Sequence, residues 1–534
     1  MTLGDYPDGV PKQFLIPKEQ FESAEDFPRF ENIAIHLDLD TMSHSGGVIT
    51  DDFDGDNLLD IFVSDWSPTG QMRLFHNNGD GTFTDRTEQA NLTGIYGGLN
   101  TVQVDFDNDG DLDVFALRGA WLGDGGRQPN SILQNDGTGR FQDVTFAVGM
   151  ADENYPTQTG SWADFDNDGD MDCFVGNESH ACQLFRNDGK GFFTDIAKQA
   201  GVTNGQYTKG VTWGDFDNDR FPDLYVSNLG QKNRLYRNNR DGTFTDVAAS
   251  SGVAGPEKSF GTWFWDHNND GILDLYASSY TVGIDHIGRD YLGGDRQSEL
   301  DGLYQGTPAG PFTNVAKEYG LLKPTQPMGC NFGDLDNDGH LDFYLATGYP
   351  KIEGLMPNVM YRSDHGKRFN DVTFAGGFGH LQKGHAVAFA DLDHDGDQEL
   401  FVELGGAYAG DDFQNALFEN PGFGNNWIKI QLRGSQSNRF GVGARIKVDF
   451  VDDGQSRSVY RWVTHGSSFG ANSLRQEIGV SKAKSILAIE IYWPTSDTTQ
   501  TFENVDVNQL IEVAEDAEDY KRIDLNAFPF YRPG

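Results

Sequence analysis

Cysteine is nearly absent, with Cys173, Cys182 and Cys330 alone in 534 residues. Three scattered thiols cannot build a disulfide framework, and no CxxC pair sets metal-ligand spacing. Cys173 and Cys182 flank one predicted hairpin, so a bridge between them stays open beside the plainer reading of buried thiols. Positive charge is also scarce: 40 Lys and Arg against 82 Asp and Glu leave a net charge of -42. That balance excludes binding to nucleic acid or an anionic membrane through general electrostatics, because those partners are negative too. No run of apolar residues is long enough to span a bilayer, which needs about 18 or more, so no membrane insertion is expected. The N-terminal MTLGDYPDGVPKQFLIP lacks the basic and apolar regions of a signal peptide, and a removed one would leave the same appearance. Nucleophile elbow, HExxH, Walker and dinucleotide glycine motifs are missing as well. Ser467-Ser468 beside His465 offers no identifiable third partner, so no catalytic role is assigned there.

What the chain does contain is acidic repetition. Asp105-Phe106-Asp107-Asn108-Asp109-Gly110-Asp111-Leu112-Asp113 reads as a loop for a hard cation: Asp105, Asp107, Asp109 and Asp113 offer side-chain oxygens, and the glycine permits a tight turn. The pattern recurs as Asp52, Asp54, Asp56, Asp60; as Asp164, Asp166, Asp168, Asp172; and as Asp215, Asp217, Asp219, Asp223. Further on come Asp266, Asn268, Asp270, Asp274; then Asp334, Asp336, Asp338, Asp342; and finally Asp391, Asp393, Asp395, Glu399. Seven copies therefore imply up to seven structural Ca2+ ions. The loops are not EF-hands, since Ala116 stands where Asp105 would require a twelfth-position glutamate. Arg220 replaces the loop glycine in the fourth copy and Asn268 replaces an aspartate in the fifth, so both should hold calcium more weakly.

First aspartates lie 51 to 68 residues apart, with short strand patterns around each loop. Val211-Thr212-Trp213 enters the fourth loop, Leu224-Tyr225-Val226 leaves it, and Arg234-Leu235-Tyr236 and Thr243 to Val247 follow. Such a period predicts an all-β, seven-bladed β-propeller with calcium loops over residues 28–424. The fourth-strand signature, Phe193-Thr194-Asp195-Ile196 in the third unit, is missing after Leu417 to Asn420. It appears instead at Phe30-Glu31-Asn32-Ile33, so a strand near 28–35 is expected to close the last blade. Residues 1–27 form an N-terminal extension. Alternating strands without acidic loops, such as Ile489 to Trp493, predict a small C-terminal β domain over 425–515. A tail, 516–534, carries aromatic residues that could dock on the body.

The loops with their Phe-Thr-Asp strands resemble FG-GAP/VCBS repeats, the units of the integrin α-subunit propeller. Ser437 to Ala444, Gly466-Ser467-Ser468-Phe469, Ile491 to Pro494 and Phe502 to Val505 resemble an ASPIC/UnbV domain. The whole is similar to bacterial relatives of cartilage acidic protein. That resemblance implies a calcium propeller, usually secreted, with matrix or adhesion roles suggested in animals and no general function settled in bacteria. Where the family commonly reads His-Phe-Gly-Leu-Gly, this chain has Glu477-Ile478-Gly479-Val480-Ser481, and it has no EGF-like module.

If the acidic loops mark one face of a ring, the starts of the first strands lie on the other. That second face is expected to gather His44 to Gly47, Asp65-Trp66, Trp121 to Arg127, His180, Lys209, Lys258, Met328, Tyr349 and Lys383 to His385. It should also receive the long insertion Ser278 to Gly302, with Asp285, His286, Arg289, Asp290 and Tyr291. Two readings follow. One is a secreted or periplasmic propeller that binds a protein, glycan or small-molecule ligand there, with Trp66, Trp121 and Tyr291 as a stacking surface. The other is a copper, iron or zinc enzyme, such as an oxidoreductase or a cyclase of secondary metabolism, in which His44 and His385 converge with His180 or His286 as candidate catalytic residues. The alternative to that convergence is that each histidine bonds locally. Neither the ligand nor the oligomeric state is legible in the chain.

Overall fold

A computed structural model describes residues 9–532 except Phe21, Ala24, Thr281, Val282, Gln297 and Ala309. Parts of the N-terminal extension and of the Ser278 to Gly302 insertion thus lie outside the described residues. Seven four-stranded antiparallel sheets fill the first four-fifths of the chain. Each starts with a strand that runs into an acidic loop, as Thr208–Gly214 does, and the loop turns the chain into the second strand, Asp223–Asn228. Arg234–Asn238 and the short Phe244–Asp246 complete the sheet. In the seventh, Gly384–Ala390, Glu399–Leu404 and Ala416–Glu419 are joined by Glu31–Asn32 from the other end of the chain, with Glu31 opposite Glu419. The first strand of every sheet contacts that of the next, and Gly384–Ala390 meets Val48–Asp51, so the seven close into a ring.

Sheet-to-sheet contacts have a repeated polar staple. The residue that opens each second strand turns its carboxylate to the backbone N–H that ends the third: Asp60 to Asn77 at 2.9 Å, Asp113 to Asn135 at 2.8 Å, Asp172 to Asn187 at 2.8 Å. The side chain of that asparagine then donates to the preceding sheet's loop, Asn135 to Phe53 O, Asn187 to Phe106 O and Asn238 to Phe165 O, each at 2.8 Å. Asn77 reaches Leu392 O at 2.7 Å and so ties the first sheet to the seventh. Each amide is buried, and satisfying it across the seam is what makes the seam specific.

Two further sheets follow. One runs Gln476–Ser481, Asn426–Arg433, Leu510–Ala514, Lys521–Ile523; the other Gln455–Trp462, Arg445–Asp452, Ile486–Trp493, Thr498–Val505. Their alternating apolar residues, among them Ile430, Ile446, Phe450, Ile489 and Trp493, form one core with Phe53, Phe62 and Leu112 of the ring. The tail docks too: Phe530 is buried against the first and seventh sheets and Tyr531 N–H donates to Gly81 O. All three cysteines are free. Cys173 and Cys182 pack into different apolar clusters on sheet three, which leaves no bridge between them. Among the described residues no helix is long and apolar enough to cross a membrane.

Candidate functional site

The acidic loops gather carboxylates as their spacing predicts. Oxygens of Asp105, Asp107 and Asp113 lie within 4.8 Å of one another, and the same holds for Asp52, Asp54 and Asp56, for Asp164, Asp166 and Asp172, and for Asp215, Asp217 and Asp223. The first aspartate braces its own loop: Asp105 accepts from the N–H groups of Asp109 and Gly110 at 3.1 and 3.0 Å. At the third position of the first four loops, one buried oxygen each of Asp54, Asp107, Asp166 and Asp217 has no hydrogen-bond partner. Burial and mutual repulsion push Asp105 and Asp164 up to about 7, and Asp266, Asp334 and Asp393 to about 8. Orphaned, like-charged oxygens of this kind are the donor set a hard cation needs.

The loops differ in what already sits on them. Arg86 and His76 face Asp54, and Arg240 faces Asp219. Arg362 and Arg461 face Asp336 and Asp334, and the Lys429 ammonium contacts Asp391. No basic side chain is ion-paired with the second or third loop among the described residues. His76, 3.1 Å from Asp60, is a loop residue that sequence spacing alone does not reveal, since it arrives from the third strand. Arg220 takes the left-handed conformation of the glycine it replaces, at φ +78°, and its guanidinium holds Pro494 O, Thr495 O and Asp497. The C-terminal sheets therefore cover this face, and Glu477, at the position of the family histidine, lies beside Lys429 and Asp391.

From those sheets residues 465–473 enter the centre of the ring and bond to the first strand of all seven sheets. Thr50 N–H donates to Ala471 O, Asn100 and Thr159 donate to Ser468 O, and Ser468 Oγ donates to Val211 O and Thr262 O. Asn331 donates to Gly470 O, and Phe389 N–H to Asn472 Oδ1. Gly470 is required there: at φ +87° a Cβ would sit 2.0 Å from Val387 O. The tempting Ser-His pair is thus part of a plug. His465 Nε2 meets Ser161 at 3.2 Å, Ser467 meets Cys330, and neither serine has a histidine partner.

Phe469 tips the plug toward the opposite face, where its ring contacts Phe260 and His385. Trp121 stands 5.6 Å from His385 and 5.9 Å from Trp66. Lys209, buried and paired with Glu178, lies over the rings of Tyr207, Phe260 and Trp121 at 4.2, 5.2 and 5.7 Å. Glu178 also accepts the Trp121 N–H at 2.8 Å and holds that residue at φ +69°, a left-handed conformation uncommon for a bulky side chain. Trp66 Nε1 donates to Ala120 O. Both indoles remain partly exposed, so a two-tryptophan platform rims the channel mouth.

Each of the four histidines expected to converge has a nearby partner of its own. His385 bonds to Gly46 O at 2.6 Å, His44 faces Asp65 at 3.5 Å, His180 bonds to Glu178 O and Arg127, and His286 faces Asp285 on the helix Ile284–Tyr291. No hydrogen bond or ring contact joins any two of the four among the described residues. Tyr291 likewise has no ring contact with the two tryptophans. Burial depresses His385 from 6.5 to about 4, so its stabilising neutral form is present above pH 6.5 and lost as pH falls through 4. At about 1.4 kcal/mol per unit this is worth about 3 kcal/mol. Urea unfolding of His385→Asn between pH 7 and 4 should lose less stability than the parent; parallel curves would contradict the burial.

Residues 52–116, 164–226 and 216–277 match the FG-GAP-like repeat, and residues 434–519 match the family described as ASPIC and UnbV. The chain joins FG-GAP-like repeats to a UnbV/ASPIC domain. It is a distant homologue of cartilage acidic protein 1: 26% identical to the Homo sapiens protein over 329 residues, 60% of this chain and 46% of that one. The Xenopus tropicalis protein is 28% identical over 338 residues, 61% of this chain and 48% of its own length. The chain thus spans about half the length of the relatives it matches. Among solved structures, BBS1N in complex with ARL6DN aligns with TM-score 0.43 at 11% identity over 74% of this chain and 98% of that one. The V. cholerae biofilm matrix protein Bap1 aligns with TM-score 0.32 at 10% identity over 90% and 72%. Each FG-GAP-like match begins within an acidic loop and the UnbV/ASPIC match includes the plug, whereas Trp121, His385 and the sixth and seventh loops lie outside the matched segments.

Proposed function

We propose that the seven sheets are the blades of a calcium-stabilised β-propeller that works outside the cytoplasm, secreted or periplasmic, and binds a glycan or a flat small molecule at the mouth opposite the acidic loops. The observation that carries this reading is Trp121: an indole held left-handed by a buried Glu178–Lys209 pair, beside Trp66, at the rim of a plugged channel. A strained aromatic residue maintained by a buried ion pair favours a ligand platform over incidental packing. Indole faces stack on sugar rings and planar groups, while Asp65 and His44 next to Trp66 supply polar contacts. Up to seven calcium ions would be held by the side-chain oxygens at positions one, three, five and nine of each loop, with Asn268 and Glu399 replacing an aspartate in the fifth and seventh. The second and third loops, free of competing cations, would bind most tightly. Extracellular modules meet millimolar calcium, which suits structural loops of this kind. The transition-metal oxidoreductase or cyclase reading is the alternative, and the separate partners of His44, His180, His286 and His385 favour it less.

Calorimetric titration with a panel of soluble oligosaccharides tests this. Trp121→Ala is expected to weaken a binding glycan about 30-fold, the ~2 kcal/mol of an aromatic hot spot, and Trp66→Ala should also weaken it. Binding that survives both substitutions unchanged, or a panel with no binder, would remove the platform.

A further inference from the structure

Between the third, fourth and fifth ring sheets and the C-terminal sheets lies a cavity of about 190 Å3. Trp162, Trp213 and Phe264 line it from the ring. Opposite them, Arg445 stands beside Trp462 on one neighbouring strand and Tyr492 on the other, so that the three share one sheet face and form a row of ring, cation, ring. The Arg445 guanidinium lies 5.6 Å from the Tyr492 centroid and, among the described residues, makes no hydrogen bond or ion pair. In a chain with 82 acidic residues, a half-buried arginine without a carboxylate is a cation kept open. Asp164 and Asp215 also border the cavity, but their oxygens are turned to their own loops. Asp164 accepts from the N–H groups of Asp168 and Gly169 and from Thr495, and Asp215 from the N–H groups of Asp219 and Arg220.

We propose that this cavity is a second binding site, separate from the mouth, for a small planar organic anion: a one- or two-ring aromatic acid whose rings lie among the indoles and whose carboxylate meets Arg445. Aromatic walls in a cleft between packed units suit apolar ligands, and sites for drug-sized molecules occupy ~300–1,000 Å3, so this smaller cavity limits the ring count. A guanidinium with its fork unused pairs with a carboxylate through two parallel hydrogen bonds, and does so more strongly where water is scarce.

The probe is 2-naphthoate, with the neutral 2-naphthylmethanol as comparator, titrated calorimetrically and by tryptophan fluorescence into the full chain in calcium buffer. One saturable site is expected, at least tenfold tighter for the acid than for the alcohol. Arg445→Met should erase that preference with the melting temperature kept, and Trp121→Ala should leave it intact. Should Arg445→Met not fold, Tyr492→Leu, which removes the ring beside the cation, is expected to weaken naphthoate at least threefold. No saturable naphthoate binding, equal affinity for the alcohol, or loss with Trp121→Ala but not with Arg445→Met would each overturn the proposal. Failure of glycan binding at the mouth would leave it standing.

Discussion

Chelation of calcium is expected to lower the melting temperature of the full chain by about 5 °C. A ligand that binds the native form alone stabilises it by about 2.7 kcal/mol per site at a hundred times Kd. Two such loops supply about 5 kcal/mol, and with an unfolding entropy of ~2 cal/mol/K per residue each kcal/mol moves the midpoint of a chain this long by about 1 °C. The second and third loops are the pair to expect, because their orphaned oxygens Asp107 Oδ1 and Asp166 Oδ1 face no ion-paired base. The fourth and seventh loops should contribute less: Arg240 and Lys429 already place positive charge on Asp219 and Asp391. Circular-dichroism melts in millimolar calcium and in excess EGTA decide the matter. Coincident melts would mean that the loops are merely acidic turns. Asp107→Asn with Asp166→Asn should reproduce a large part of the chelation effect in calcium buffer.

The second large effect concerns the plug. Phe469→Ala should destabilise the full chain by about 3–5 kcal/mol, the usual cost of emptying a buried phenylalanine site. Phe469 is fully buried between Phe260 and His385, at a place where all seven sheets meet and no single sheet can move in to fill the void. Phe146→Ala is the control: that ring is 77% exposed, and its loss should cost under about 0.5 kcal/mol. Urea unfolding measured at equilibrium reads both. Equal midpoints for the two variants would show that residues 465–473 lie in the channel without supporting it.

The Asp105 to Asp113 loop illustrates what is legible along a chain. Its ligands are contiguous, so the turn and the convergence of carboxylates follow from local backbone geometry, and repetition turns one motif into seven sheets. The staple of Asn77, Asn135, Asn187 and Asn238 was legible in principle, because an asparagine followed by Asn or Asp stands at the end of the third strand in the first four sheets. Its partner is not legible, since the amide reaches the preceding repeat. The histidines mislead for the opposite reason: His44 and His385 belong to adjoining sheets, but which side chain reaches the axis depends on strand register and on what else occupies the channel. Ser467 and Ser468 read as a turn of a separate unit, and only packing reveals that they bond across the ring.

By itself, the order of residues determined the repeat, the strands around each loop and the carboxylate sets, all of which rest on neighbours in the chain. The tertiary structure alone decided what fills the channel, that Trp66 meets Trp121 rather than Tyr291, and where Arg445 is left open. Those pairings join residues hundreds of positions apart, such as Asn100 and Ser468, 368 residues apart. Contacts of that range depend on how ring and C-terminal sheets pack against each other, a property of shape complementarity and buried polar satisfaction that no local pattern encodes.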